Sequence, residues 1–162
     1  MGHLLQMCKI GEVEEVRAAL VNGDVNEADD YGSSCLMWAV DNQHEEVVTL
    51  LLGLASLQIN AKRGVHPESS RSEWTALHYA CLQGGIGVLK KLLDHPGLDV
   101  NSRLVCSTNI TLGKFRSFCF RDTDGFRPIF IAVQKGHADC VRVLASRPTV
   151  DLHGMSLEDM AG

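Results

Sequence analysis

The segment Thr75-Ala76-Leu77-His78-Tyr79-Ala80, followed by Gln83-Gly84 and then Val88-Leu89-Lys90-Lys91-Leu92-Leu93, recurs in weaker copies along the whole chain. Ser34-Cys35-Leu36-Met37-Trp38-Ala39 leads to Val47-Val48-Thr49-Leu50-Leu51, and Arg127-Pro128-Ile129-Phe130-Ile131-Ala132 leads to Val141-Arg142-Val143-Leu144. Leu4-Leu5-Gln6-Met7 with Gly11 and Val16 fits the frame at one end, and Gly154-Met155-Ser156-Leu157-Glu158-Asp159-Met160-Ala161 fits it at the other. Self-similarity at a near-constant period means that one small supersecondary unit is stacked on copies of itself.

Each copy reads as two short helices. Val47, Val48, Leu50, Leu51 and Leu52 form an apolar stripe at helical spacing, and Val88 to Leu93 repeats it. A helix pair this small cannot bury such a stripe alone, so neighbouring pairs must supply the missing surface, and stability becomes a sum over units and their interfaces. Asp24-Val25-Asn26, Gln58-Ile59-Asn60 and Asp99-Val100-Asn101 follow three of the second helices and mark the exit of the chain toward a turn.

The Thr75-x-Leu77-His78-x-Ala80 core, set in a frame of about 33 residues with two helices and a turn, resembles the ankyrin repeat family. The resemblance covers nearly all of the chain and implies an all-α solenoid of helix-turn-helix units in a single domain, residues 1–162. The units fall at about 3–27, 28–60, 70–101 and 122–150, with a partial fifth at 151–162. Anchors Met7, Ala39, Ala80, Ala132 and Ala161 lie 32, 41, 52 and 29 residues apart. Relative to the family period, the second and third gaps carry roughly 8 and 19 extra residues. These insertions, at about 61–69 and 102–121, fall in turns, where a solenoid tolerates them. The first is polar and reads as a loop. The second, Arg103 to Arg121, has two β-prone runs around Leu112-Gly113-Lys114 and predicts a long hairpin, locally basic through Arg103, Lys114, Arg116 and Arg121. Phe115, Phe118 and Phe120 then need cover, either from the adjacent unit or from a partner. The stretch after Asp151 reads either as a capping fragment or as the start of a longer array.

A chain of 162 residues that is 45% hydrophobic can build one continuous core, and it has no apolar run long enough for a membrane span. A net charge of −5 argues against a nucleic-acid footprint, which needs a basic face. The opening Met1-Gly2-His3-Leu4 predicts no secretory signal, and Gln6 stands where myristoylation expects Ser or Thr. Of six cysteines, Cys8, Cys35, Cys81 and Cys140 fall at positions turned toward the stack. Cys106 and Cys119 stay open between free thiols and a bridge. No zinc-ligand spacing occurs, so a reducing compartment, cytoplasm or nucleus, is expected.

No constellation unites a nucleophile, a base and an oxyanion site, so the chain is read as non-enzymatic, with no catalytic residue, cofactor or metal. Gly84-Gly85-Ile86-Gly87 follows no strand, so it is not a phosphate loop. The resemblance implies a structural, helix-capping role for Thr75 and His78; His44 and His137, between paired helices, also read as structural. Asn109-Ile110-Thr111 is a glycosylation sequon in form only. Leu93, five residues, and then Asp99-Val100-Asn101 resembles the pattern that an asparaginyl hydroxylase modifies in ankyrin proteins, which makes Asn101 the one modification candidate beside its turn-tying role.

The family's variable contact positions imply a protein-binding surface on the concave side, formed by turn tips and first helices. The second unit supplies Asp30, Tyr31, Ser33, Asp41 and Asn42, and the third Arg71, Ser72, Trp74, Leu82 and Gln83. The fourth supplies Thr123, Asp124, Phe126, Gln134 and Lys135, and the partial fifth His153 and Met155. Tyr31, Trp74 and Phe126 are the anchors such a surface would use, against cover for the neighbouring insertion as the plain structural role of Trp74. Trp38, beside Met37, reads as partly core. The expectation is a monomeric interaction module for an apolar and basic protein segment. Its rivals are a spacer or targeting arm of a larger protein, and anion or ligand binding by the basic 103–121 insertion.

Overall fold

The structure, a computed structural model, describes residues 2–64, 73–103 and 127–152. Eight helices lie among these residues: α1 (His3–Ile10), α2 (Val13–Ala19), α3 (Cys35–Asp41), α4 (Glu45–Leu52), α5 (Ala76–Gln83), α6 (Ile86–Leu93), α7 (Pro128–Gln134) and α8 (Ala138–Ala145). Consecutive helices pair as hairpins, and the hairpins stack in two rows: α1, α3, α5 and α7 pack in order on one side, and α2, α4, α6 and α8 on the other. The architecture is the all-α solenoid that the repeats predict. Helices of seven or eight residues fall short of the roughly 12 to 15 needed for marginal stability in isolation, so tertiary packing holds them.

The core is one continuous cluster threading every hairpin. Leu5, Val16, Leu36, Val48, Leu51, Leu77, Leu89, Leu92, Ile129 and Leu144 are fully or almost fully enclosed. Each such aliphatic side chain contributes about 1.5–3 kcal/mol relative to remaining in water. Cys8, Cys35, Cys81 and Cys140 are buried among them as small apolar groups, as the register implies. Among the described residues, no helix is long and apolar enough to cross a membrane.

Helix ends follow local chemistry. Ser34 Oγ accepts from the Met37 amide at 3.3 Å, and Pro128 opens α7, where its missing N–H costs nothing. Ahead of α5 the Thr75 amide donates to His78 Nδ1 at 3.1 Å, and the Thr75 hydroxyl lies 2.8 Å from the same nitrogen. The first helices end in the left-handed region at Gly11, Gln43, Gly84 and Gly136, with φ of 95°, 60°, 73° and 72°. Three of the four are glycine, because a Cβ is unfavourable there; Gln43 is the exception, and its side-chain amide donates to the Val40 carbonyl at 2.8 Å.

Two cross-unit devices repeat. His44 Nε2 donates to the Lys9 carbonyl (3.1 Å) and His137 Nε2 to the Leu82 carbonyl (3.0 Å), each ring lying over the glycine that ends the preceding inner helix, Gly11 or Gly84. The second device is an asparagine ladder. Asn26 bonds the Ser56 carbonyl and the Gln58 amide, Asn60 the Gly97 carbonyl and the Asp99 amide, and Asn101 the Thr149 carbonyl and the Asp151 amide, all at 2.7–2.8 Å. The first insertion is pinched at its neck. Arg63 and Trp74 or Glu73 exchange backbone bonds of 2.8 and 3.0 Å, and Lys62 pairs with Glu73 at 3.0 Å. The body of that loop, the hairpin expected over 103–121 with Cys106 and Cys119 apart from its first residue Arg103, and the partial fifth unit beyond Leu152 lie outside the described residues.

Candidate partner-binding face

The second turn is built around one carboxylate. Asp29 Oδ1 accepts from the amides of Tyr31 (2.9 Å) and Ser33 (2.8 Å), and Oδ2 accepts from Trp38 Nε1 (3.1 Å). A short antiparallel bridge between Ala28 and Ser34 closes the turn. The result holds Tyr31 at the tip, 48% exposed, with the Arg63 guanidinium of the next turn 5.5 Å from its ring centroid. Arg63 Nη1 also reaches the Tyr79 hydroxyl at 3.4 Å, so the two turns are tied at this point.

From the turn the face continues along the inner helices. On α3 and at its C-cap, Trp38, Asp41 and Asn42 follow the three-and-four spacing of one helix side, opposite the buried Leu36, Ala39 and Val40. Lys9 of α1 lies over the Trp38 ring, 4.2 Å from its centroid. Asp41 Oδ1 accepts from Gln83 Nε2 of the next unit at 2.7 Å, and Asn42 Nδ2 donates to the Trp38 carbonyl at 2.9 Å. Leu82 is half-buried beside the exposed Gln83. Gln134 and Lys135 take the same places at the end of α7, half-buried and exposed respectively. Asp41, Asn42, Leu82, Gln83, Gln134 and Lys135 therefore form one row across three hairpins.

Two expected contact residues are not on this face. Trp74 is only 2% exposed, its ring 5.3 Å from that of Tyr79 and 5.9 Å from that of His78, so it is a core residue under the first insertion. Ser33 is 4% exposed, with its amide and carbonyl both engaged by Asp29. Both sit one residue before the N-cap of an inner helix, where the chain turns inward. Arg71, Asp124 and Phe126, with Ser72, Thr123, His153 and Met155, lie outside the described residues. Asn101 is half-buried, and its amide oxygen and nitrogen are both committed to the ladder. Lys9, Trp38 and Arg63 join the face although sequence reasoning did not place them there. For Trp38 the signal was present, since it shares a helix side with Asp41 and Asn42.

The family model for ankyrin repeats, in three copies, matches residues 4–104, more than half of the chain. The chain belongs to the ankyrin repeat family. The matched span takes in α1 to α6, and α7 with α8 continues the stack on the same plan. The Ankyrin repeat-containing protein ITN1 of Arabidopsis thaliana is 39% identical over 84 residues, which is 52% of this chain and 12% of that protein. The chain thus matches a small part of that relative's length. Ankyrin repeats are generally protein-interaction modules without chemistry of their own. Among the described residues, no group of three or more His, Cys, Asp or Glu side chains is placed to hold a metal ion.

Charge is divided unevenly along this ankyrin stack. Residues 1–60 hold ten carboxylates against two cations, Lys9 and Arg17, so the first two repeats carry the net negative charge, 2 − 10 = −8. Arg17 lies 3.8 Å from Glu14, and Lys9 is engaged by Trp38. The rest of the chain has 13 cations and ten carboxylates. A field of this shape attracts positive charge toward the N-terminal repeats, and more so at low ionic strength.

Proposed function

We propose that the chain binds a protein partner along the row formed by the second turn and the inner helices, with Tyr31 as anchor and Asp41, Asn42, Leu82, Gln83, Gln134 and Lys135 beside it. The observation that carries this reading is Tyr31: a large aromatic side chain left half exposed, on a turn braced by Asp29 and against Arg63. A pre-organised aromatic offers wide contact area for little lost rotamer freedom, which is what interface anchors supply. The acidic character of the first two repeats favours a partner segment with apolar and basic residues. The module acts without catalysis, as a monomer, and inside the cell; four free buried thiols suit a reducing compartment.

The experiment compares affinity capture by the parent protein with capture by Tyr31→Ala and Asn42→Arg, using Glu15→Lys on α2 as a control in the outer row. The proposal expects prey lost from both inner-face variants and kept by the control. The same prey in all lanes would remove the inner face as the binding surface. A second reading, a targeting or spacer arm within a larger protein, is favoured by the length of the plant relative, of which the match covers 12%.

A further inference from the structure

Among the described residues three large apolar side chains are exposed: Ile10, Val21 and Tyr31. Tyr31 is the anchor argued above, and Val21 follows α2 in the outer row. Ile10 ends α1 and is 49% exposed. Its place in the stack is fixed by the left-handed residue that closes each inner helix: Gly11, Gln43, Gly84 and Gly136. Immediately before these stand Ile10, Asn42, Gln83 and Lys135, and all four are exposed. The row across the inner helices therefore begins one repeat earlier than Asn42, with an isoleucine where the other three repeats carry polar side chains. Met7, three residues back on the same side of α1, is half-buried, so Ile10 belongs to a small apolar patch and is not a scattered surface residue. The surrounding charge is acidic. Glu12 is exposed two residues on, at the start of α2, and Asp41 stands at the corresponding end of α3 in the next repeat. Lys9, next to Ile10 in the chain, directs its ammonium over the Trp38 ring.

We propose that Ile10, with Met7 beside it, is a second anchor of the interface, and that it takes an aliphatic or aromatic side chain of a partner segment carrying lysine or arginine next to that residue. The apolar residue of the partner covers Ile10, and both leave water. Its basic neighbours face Glu12 and Asp41. Asp41 already accepts from Gln83 at 2.7 Å, and a carboxylate has lone pairs for further donors. Charge complementarity of this kind selects the partner and speeds the encounter, while the apolar contact holds the complex. The inference rests on the binding reading above and goes beyond it in two respects. It adds the first repeat to the face, and it gives the row a direction. Repeats 1 and 2 hold both exposed apolar residues of the inner face, Ile10 and Tyr31, and the net negative charge, whereas the row ends in Gln83 and Lys135 in repeats 3 and 4. The apolar and basic residues of the partner therefore lie at the N-terminal end of the stack.

The probe is a phage-displayed library of random dodecapeptides, selected on the immobilised full chain at low ionic strength. Selected peptides are then synthesised, and their Kd is measured against the parent, Ile10→Ser, Ile10→Leu, Asn42→Arg, Tyr31→Ala and Val21→Ser. Enriched sequences should join an aliphatic or aromatic residue to Lys or Arg. Ile10→Ser should weaken binding by about tenfold, Ile10→Leu should restore it, Asn42→Arg should weaken it as well, and Val21→Ser should leave it unchanged. Replacing the apolar residue of the peptide by serine should cost the parent about tenfold and Ile10→Ser much less, as two groups in contact require. In the parent itself the Ile10 δ-methyl NMR signal should shift on titration, a readout that needs no variant to fold. Peptides released by Asn42→Arg but not by Ile10→Ser would overturn this inference and leave the face standing. Peptides indifferent to Asn42→Arg, Tyr31→Ala and Ile10→Ser would overturn both readings. Release by Ile10→Ser alone would place the contact off the face and also refute the second anchor. So would a failure to enrich any peptide, enrichment of acidic or uncharged sequences, or self-association of the parent that Ile10→Ser abolishes, which would assign the patch to a second copy.

Discussion

Gly84→Ala tests how the repeats are locked together. Gly84 ends α5 at φ 73°, and a Cβ built there meets the His137 ring at 2.6–2.7 Å from Nδ1, Cε1 and Cγ. Holding alanine in the left-handed region costs about 1–2 kcal/mol. Alanine also stiffens the unfolded chain, which offsets roughly 0.4–1 kcal/mol of that cost. The ring cannot stay in place, because its Nε2 must keep 3.0 Å to the Leu82 carbonyl while its other edge meets the new methyl group. Losing that bond adds about 0.5–1.5 kcal/mol. The variant should therefore be about 1–2.5 kcal/mol less stable in urea unfolding followed by tryptophan fluorescence. With His137→Ala as background, only the backbone part should remain, about 0.5–1 kcal/mol. A double-mutant cycle in which the two changes add to within about 0.3–0.5 kcal/mol would refute the reasoning, since additivity is the mark of groups that do not touch.

Three further outcomes are expected in the same unfolding assay. Asn60→Ala removes two solvent-accessible bonds to the next repeat and should cost about 1–2 kcal/mol; a loss no larger than that of an ordinary surface substitution would deny the ladder a stabilising role. Ser34→Ala leaves the Met37 amide uncapped and should cost about 1 kcal/mol, detectable as a shift in urea midpoint at constant slope. Trp74→Ala should lower stability by about 3–5 kcal/mol, whereas a nearly unchanged midpoint would contradict its burial.

The paired helices, their apolar stripes and the inward cysteines were legible because each depends on local spacing. Val47, Val48 and Leu51 face the core for the reason the pattern gives: three and four residues along a helix return to the same side. The Thr75 and His78 contact was likewise legible, being confined to four adjacent residues. The recurring Asn26, Asn60 and Asn101 stood out in the chain as turn markers, but their partners lie in the next repeat, 30 to 50 residues away. Their role as cross-repeat rungs depended on the stacking itself.

The candidate face divides along the same line. Asp41, Asn42, Gln83 and Lys135 followed from the family's contact positions carried over by register, and the structure leaves them opposite the buried stripes of their helices. Tyr31 and Trp74 looked interchangeable as turn aromatics, yet one is half exposed and the other enclosed. What separates them is packing across repeats: Trp74 rests on Tyr79 and His78, while Tyr31 is held at the tip by Asp29 and met from the neighbouring turn by Arg63. Periodicity determined that the chain would stack, because a short amphipathic hairpin has no other way to remove its apolar side from water. Which turn residues point into the stack was decided by tertiary structure, because irregular backbone carries no period from which a direction can be read.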